Sequence, residues 1–182
     1  MLCSPAWAGK AHEHGLARLD IGVEAGRITL NLEVPLADLV GFERAPRTDA
    51  ERAAVVAALA RLQDTDRLVR IDGHAGCGAG KVSLTAPVWG VGGTAVPPGP
   101  AASAPGAARA ASAPGSGARD AHADLEATYE FRCTNAPRAG HVELGLFEAF
   151  ARLRRVEVQA VTSGGQMKLV LRRPQTRVGL AR

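Results

Sequence analysis

The chain predicts an α+β fold: antiparallel sheet hairpins with two short-to-medium helices packed on the sheet, interrupted by a long disordered insertion. Three observations lead there. Two runs between residues 19 and 34 alternate apolar and polar residues with a period of two. Residues 49–63 carry apolar side chains at helical spacing behind a capping box. Residues 90–121 shrink to Gly, Ala, Pro, Ser and a few Arg, with nothing large to bury.

In chain order, Leu19, Ile21 and Val23 share one strand face, and Ile28, Leu30, Leu32 and Val34 share one face of the next. Glu24-Ala25-Gly26-Arg27 joins them as a hairpin loop in which Gly26 offers a positive φ. The apolar segment 36–42 reads as a crossing segment or short helical turn. Thr48 and Glu51 then form the capping box, Asp49 and Glu51 suit the positive helix end, and Val55, Val56, Leu59 and Leu62 follow. Residues 64–70 read as loop, with 68–71 able to extend. The glycine-rich run 73–80 is no phosphate loop, because Lys81 is followed by Val82 rather than Ser or Thr. Strands are expected over 82–86 and 126–133, a turn over 135–140, a strand at 141–144 and a helix over 146–153. A strand over 155–161 turns at Ser163-Gly164-Gly165-Gln166 and pairs back over 167–171, and Pro174 ends the pairing.

The domain plan is a signal-peptide remnant at 1–10, half-domains at 11–89 and 122–182, and the linker 90–121 between them. The remnant rests on Ala6-Trp7-Ala8, an A-x-A cleavage pattern that ends an apolar start. Cleavage after Ala8 removes Cys3 and leaves Cys77 and Cys133, one in each half. In an oxidising compartment these two are expected to form a disulfide.

Composition excludes several classes. The 182 residues are 46% hydrophobic and only 4% aromatic, with a formal net charge of +4. Lys and Arg are scattered, which argues against a nucleic-acid partner. No apolar run reaches the ~18 residues of a membrane span. The absence of C-x-x-C argues against a thiolate zinc site, and no Ser-His-Asp or Cys-His arrangement marks an enzyme. Glu43 beside Arg44 reads as a surface ion pair, His74 as a solvated loop residue and His141 as structural.

His12 and His14 are the histidines nearest each other. In an extended segment both point to one face, with Cβ atoms about 7 Å apart. They read either as exposed leader residues or as two ligands of one Zn²⁺, with Glu13, His122 or water completing the set.

Three stretches carry a family resemblance: HEHGLARLDIGVEAGRITLNLEVPLADLVGFERAPRTDAE, the strand ending Tyr129-Glu130-Phe131-Arg132-Cys133, and LFEAFARLRRVEVQAVTSGGQ. Together they resemble the zinc-regulated periplasmic protein family (ZrgA-like). The resemblance implies a Gram-negative periplasmic location and an accessory role in zinc acquisition. It further implies zinc ion as ligand, a zinc-transporter component as partner, and binding rather than catalysis. The alternative is a non-catalytic module that docks a transporter or envelope partner without metal. One departure stands out: the family's central segment is rich in His, Asp and Glu, whereas residues 90–121 contain no histidine, and His122 stands only at their edge.

Overall fold

The computed structural model describes residues 13–92 and 123–180. The leader reading at 1–10 lies outside them, as does the linker from residue 93 onward.

The first hairpin forms where the alternation places it. Strands β1 (Leu16–Glu24) and β2 (Arg27–Pro35) pair antiparallel, with Glu24 opposite Arg27 across a two-residue turn. Gly26 does not use the left-handed region; its carbonyl instead accepts from the Cys133 amide at 3.0 Å. Leu36 to Val40 is a short helix, α1, ended by Gly41 at φ +95°.

Helix α2 (Asp49–Gln63) starts at the expected capping box. The Thr48 hydroxyl accepts from the Glu51 amide at 3.1 Å, and the Glu51 carboxylate accepts from the Thr48 amide at 3.3 Å. Val55, Ala58 and Leu62 form the buried face. Val56 is 66% exposed, because position 56 lies about 100° round the helix from 55.

The expected loop at 64–70 is instead helix α3 (Thr65–Leu68) running into strand β3 (Val69–Ile71). The Asp64 side chain caps α3, and Leu68 and Val69 bury. Strand β4 is Lys81–Thr85. Residues 90–92, the start of the expected linker, are among the described residues. Gly90 closes a 3-10 turn in the left-handed region, and Ala86 and Val91 exchange hydrogen bonds at 2.9 and 3.1 Å.

Past the undescribed segment, β5 is Asp124–Arg132 and β6 is His141–Leu144. Helix α4 covers only Leu146–Ala149, because Phe150 is already extended and buried. Strands β7 (Arg155–Thr162) and β8 (Gly165–Arg172) form the second hairpin. A further strand, β9 (Arg177–Gly179), follows Pro174.

The strands make two sheets, a six-stranded one ordered β4-β5-β2-β1-β7-β8 and a three-stranded one ordered β3-β6-β9. Every described pairing is antiparallel except β1 with β7, where Leu16 faces Arg155 and Gly22 faces Val161. This junction seats the two hairpins side by side and brings the start of β1 against the start of β7. The inner face of the large sheet, including Leu19, Ile21, Ile28, Leu30, Leu125 and Val158, belongs to one continuous core with Leu62 and Phe147. Tyr129 of β5 is buried there and donates its hydroxyl to the Leu62 carbonyl at 3.0 Å. Burial pushes the phenol pKa up.

A disulfide joins Cys77 to Cys133, 56 positions apart. Around it Gly78 donates to the Arg132 carbonyl at 2.9 Å, Thr134 to Gly76 at 3.1 Å and Asn135 to Ala75 at 2.9 Å. Gly76 sits at φ +59°, where an added Cβ would meet Thr134 Oγ1 at 2.2 Å.

Candidate metal centre

The start of β1 is built around Gly15. Its φ of +83° turns the chain from His14 into the strand. Its amide donates to both oxygens of Asp38, at 2.8 and 2.7 Å. Its carbonyl accepts from the amides of Arg154 and Arg155, both at 2.9 Å. The entry to β1 is thus tied to α1 on one side and to β7 on the other.

Asp38 is buried at 4% exposure within an otherwise apolar helix. Desolvation raises its pKa, against the lowering effects of the Gly15 hydrogen bond and of the His14 and Arg154 charges. Five residues on, past the Gly41 turn, Glu43 returns to face His14. Their Nδ1 and Oε1 atoms are 3.4 Å apart, with the side chains 67% and 38% exposed. Arg44 does not pair with Glu43. Its guanidinium forks onto Glu51 at 3.0 and 2.6 Å and stacks on Phe42, 5.1 Å from the ring centre. That fork, with amide donors from Arg47 and Thr48, holds the Glu51 carboxyl down at about 2.

Of the residues expected to hold zinc, His14 is placed here, while His12 and His122 lie outside the described residues. The Glu13 carboxylate is paired with Arg155. Glu43 and Asp38 were not read as site residues. The signal for Asp38 was a lone charge inside the run Leu36-Ala37-Asp38-Leu39-Val40. No local signal links Glu43 to a histidine 29 positions earlier.

A second imidazole cluster gathers around Asp72, which joins the loops of His74 and His141. Asp72 accepts from the His74 amide at 3.1 Å, His74 Nδ1 at 2.8 Å and the Gly140 amide at 3.0 Å. These bonds, the His74 amide first, hold its carboxyl well below the usual range. His141 lies 3.4 Å from the same carboxylate, and Arg177 Nη2 is 2.9 Å from its Nδ1. A guanidinium only donates, so that Nδ1 accepts, and the arginine's fixed charge opposes a cation there. Among the described residues no three His, Cys, Asp or Glu side chains converge to hold a metal ion.

Fold and site together define a small disulfide-tied α+β domain that displays surface imidazoles beside carboxylates. The family follows from comparison: the model described as ZrgA family zinc uptake protein matches residues 11–180, and the chain belongs to that family. No curated protein matches the chain. Among the described residues no helix is long and apolar enough to cross a membrane.

The His14–Glu43 pair offers two donors of the kind Zn²⁺ takes, short of the three or four protein ligands of a full site among the described residues. Ligand atoms about 2.0–2.1 Å from a tetrahedral Zn²⁺ lie about 3.4 Å from one another. The observed Nδ1 to Oε1 separation of 3.4 Å equals that edge and is equally the spacing of an imidazole–carboxylate ion pair.

Proposed function

We propose that this protein is a periplasmic zinc-binding accessory of zinc uptake, acting by binding and not by catalysis. His14 and Glu43 hold the ion, His12 supplies the third donor and water the fourth. Zinc is here cargo, to be handed to a transporter component. The 3.4 Å separation of His14 Nδ1 and Glu43 Oε1 carries the reading. Family membership supports zinc as the metal, and the disulfide supports an oxidising compartment.

The chemistry follows from the donor set. An imidazole and a carboxylate suit Zn²⁺, and an open coordination shell suits release better than the closed four-ligand shell of a structural site. Acid opposes binding, because the ligating imidazoles must be neutral. The apo protein holds its fold through the core and the disulfide.

Isothermal titration of the full chain with Zn²⁺ at pH 7.5 tests this. Wild type is expected to bind, and a His12→Ala/His14→Ala double variant to lose most of the heat. Equal heats from both proteins, or none from wild type, would refute it. A wild type without zinc heat that still captured a transporter component would favour the metal-free docking module.

A further inference from the structure

Asp38 has no place in the ligand set, yet its carboxylate is buried in the core beneath it. We propose that Asp38 is the positioning residue of the site, fixing Gly15 and through it the His14 imidazole against Glu43. The inference rests on the zinc reading above.

A buried carboxylate carries a large desolvation penalty, and an apolar residue between Leu36 and Leu39 would avoid it. Asp38 directs both oxygens at one amide, that of the residue next to His14. The opposite side of Gly15 is held as firmly by the Arg154 and Arg155 amides. With both polar groups bonded and φ at +83°, Gly15 has little freedom, and His14 inherits its position. The space beside Gly15 is filled as well, since an added Cβ would meet Arg154 Cδ at 3.1 Å.

The second ligand is referenced to the same point. Asp38 lies on α1, and the turn at Gly41, φ +95°, carries the chain directly from α1 to Glu43. The Asp38–Gly15 bond therefore ties the loop bearing one donor to the element bearing the other. Without it the 3.4 Å approach of His14 and Glu43 would rest on exposed side chains alone.

Zinc affinity of full-length wild type, His14→Ala, Asp38→Ala and Asp38→Asn, read by competition with a chromophoric chelator at pH 7.5, tests the proposal. Loss of a direct outer partner of a metal ligand weakens binding about 10–100-fold, and because Asp38 bonds the Gly15 amide rather than a ligand, D38A is expected at the lower end, about tenfold. D38N keeps an oxygen for the Gly15 amide and should recover most of that loss. D38A binding as tightly as wild type, while H14A does not bind, would overturn the positioning role and leave the site standing. D38N as weak as D38A would overturn it too, because the retained acceptor would then achieve nothing. Absence of binding by wild type would instead bring down the zinc reading beneath it. Should D38A not fold, the Gly15 amide in wild type decides: zinc must shift its proton resonance and slow its exchange, and an unchanged amide refutes the coupling.

Discussion

Removing the Cys77–Cys133 bond, by reduction or as Cys77→Ala/Cys133→Ala, should leave the fold standing and cost it a large part of its stability. The two cysteines close a loop with a sequence separation of 56. In the chain-entropy model a loop of that length contributes about 4 kcal/mol, through restriction of the unfolded chain. The native side of the equilibrium should change little. The hydrogen bonds of Gly78 to Arg132, Thr134 to Gly76 and Asn135 to Ala75 hold the same loops together without the sulfurs. For a domain of this size such a loss lowers Tm by about 10–20 °C. Thermal and urea unfolding with and without reductant give the measurement. Far-UV circular dichroism at 20 °C should be unchanged, and the urea m-value should rise as the unfolded chain expands. A Tm change below about 3 °C would refute the reasoning, because the loop would then be constrained by something other than the bond. Loss of the native spectrum on reduction would refute it in the opposite direction.

Thr48→Ala removes the cap of α2 and should destabilise by about 1 kcal/mol in urea unfolding. Tyr129→Phe strands the buried Leu62 carbonyl and should cost about 1–3 kcal/mol by the same assay. Glu51 has a folded pKa depressed to about 2, so its contribution is present above the unfolded carboxylate value and fades as pH falls through the folded one. Glu51→Gln should therefore lower Tm at pH 7 and converge with wild type near pH 2. A difference that persisted undiminished in acid would place the effect elsewhere.

The residues made parts of this molecule legible and hid others, for physical reasons. The β1–β2 hairpin shows because a period of two in apolar residues forces one face inward, and α2 shows because Thr48 and Glu51 satisfy its first amides locally. The parallel seating of β1 on β7 is invisible locally, since Leu16 and Arg155 are joined only by the register of distant strands. Strand β9 is too short to display a pattern, and α3 hid in a polar run whose only apolar residues are Leu68 and Val69. At the site, His14 stood out by its spacing from His12. Glu43 was misassigned because sequence adjacency suggested Arg44, whose fork the fold spends on Glu51. The pairing of Glu13 with Arg155 is likewise hidden in the sequence, since only the β1–β7 junction brings the two together.

The central claim is that zinc binds between His14 and Glu43 at the mouth of β1. Anomalous diffraction at the zinc edge, from crystals of the full chain grown with one equivalent of Zn²⁺ at pH 7.5, tests it most directly. The account predicts one dominant peak within about 2.0–2.2 Å of a His14 ring nitrogen and a Glu43 oxygen, with His12 drawn in as a third ligand. A dominant peak at the Asp72–His74–His141 cluster, or none at His14 in zinc-loaded crystals, would contradict it.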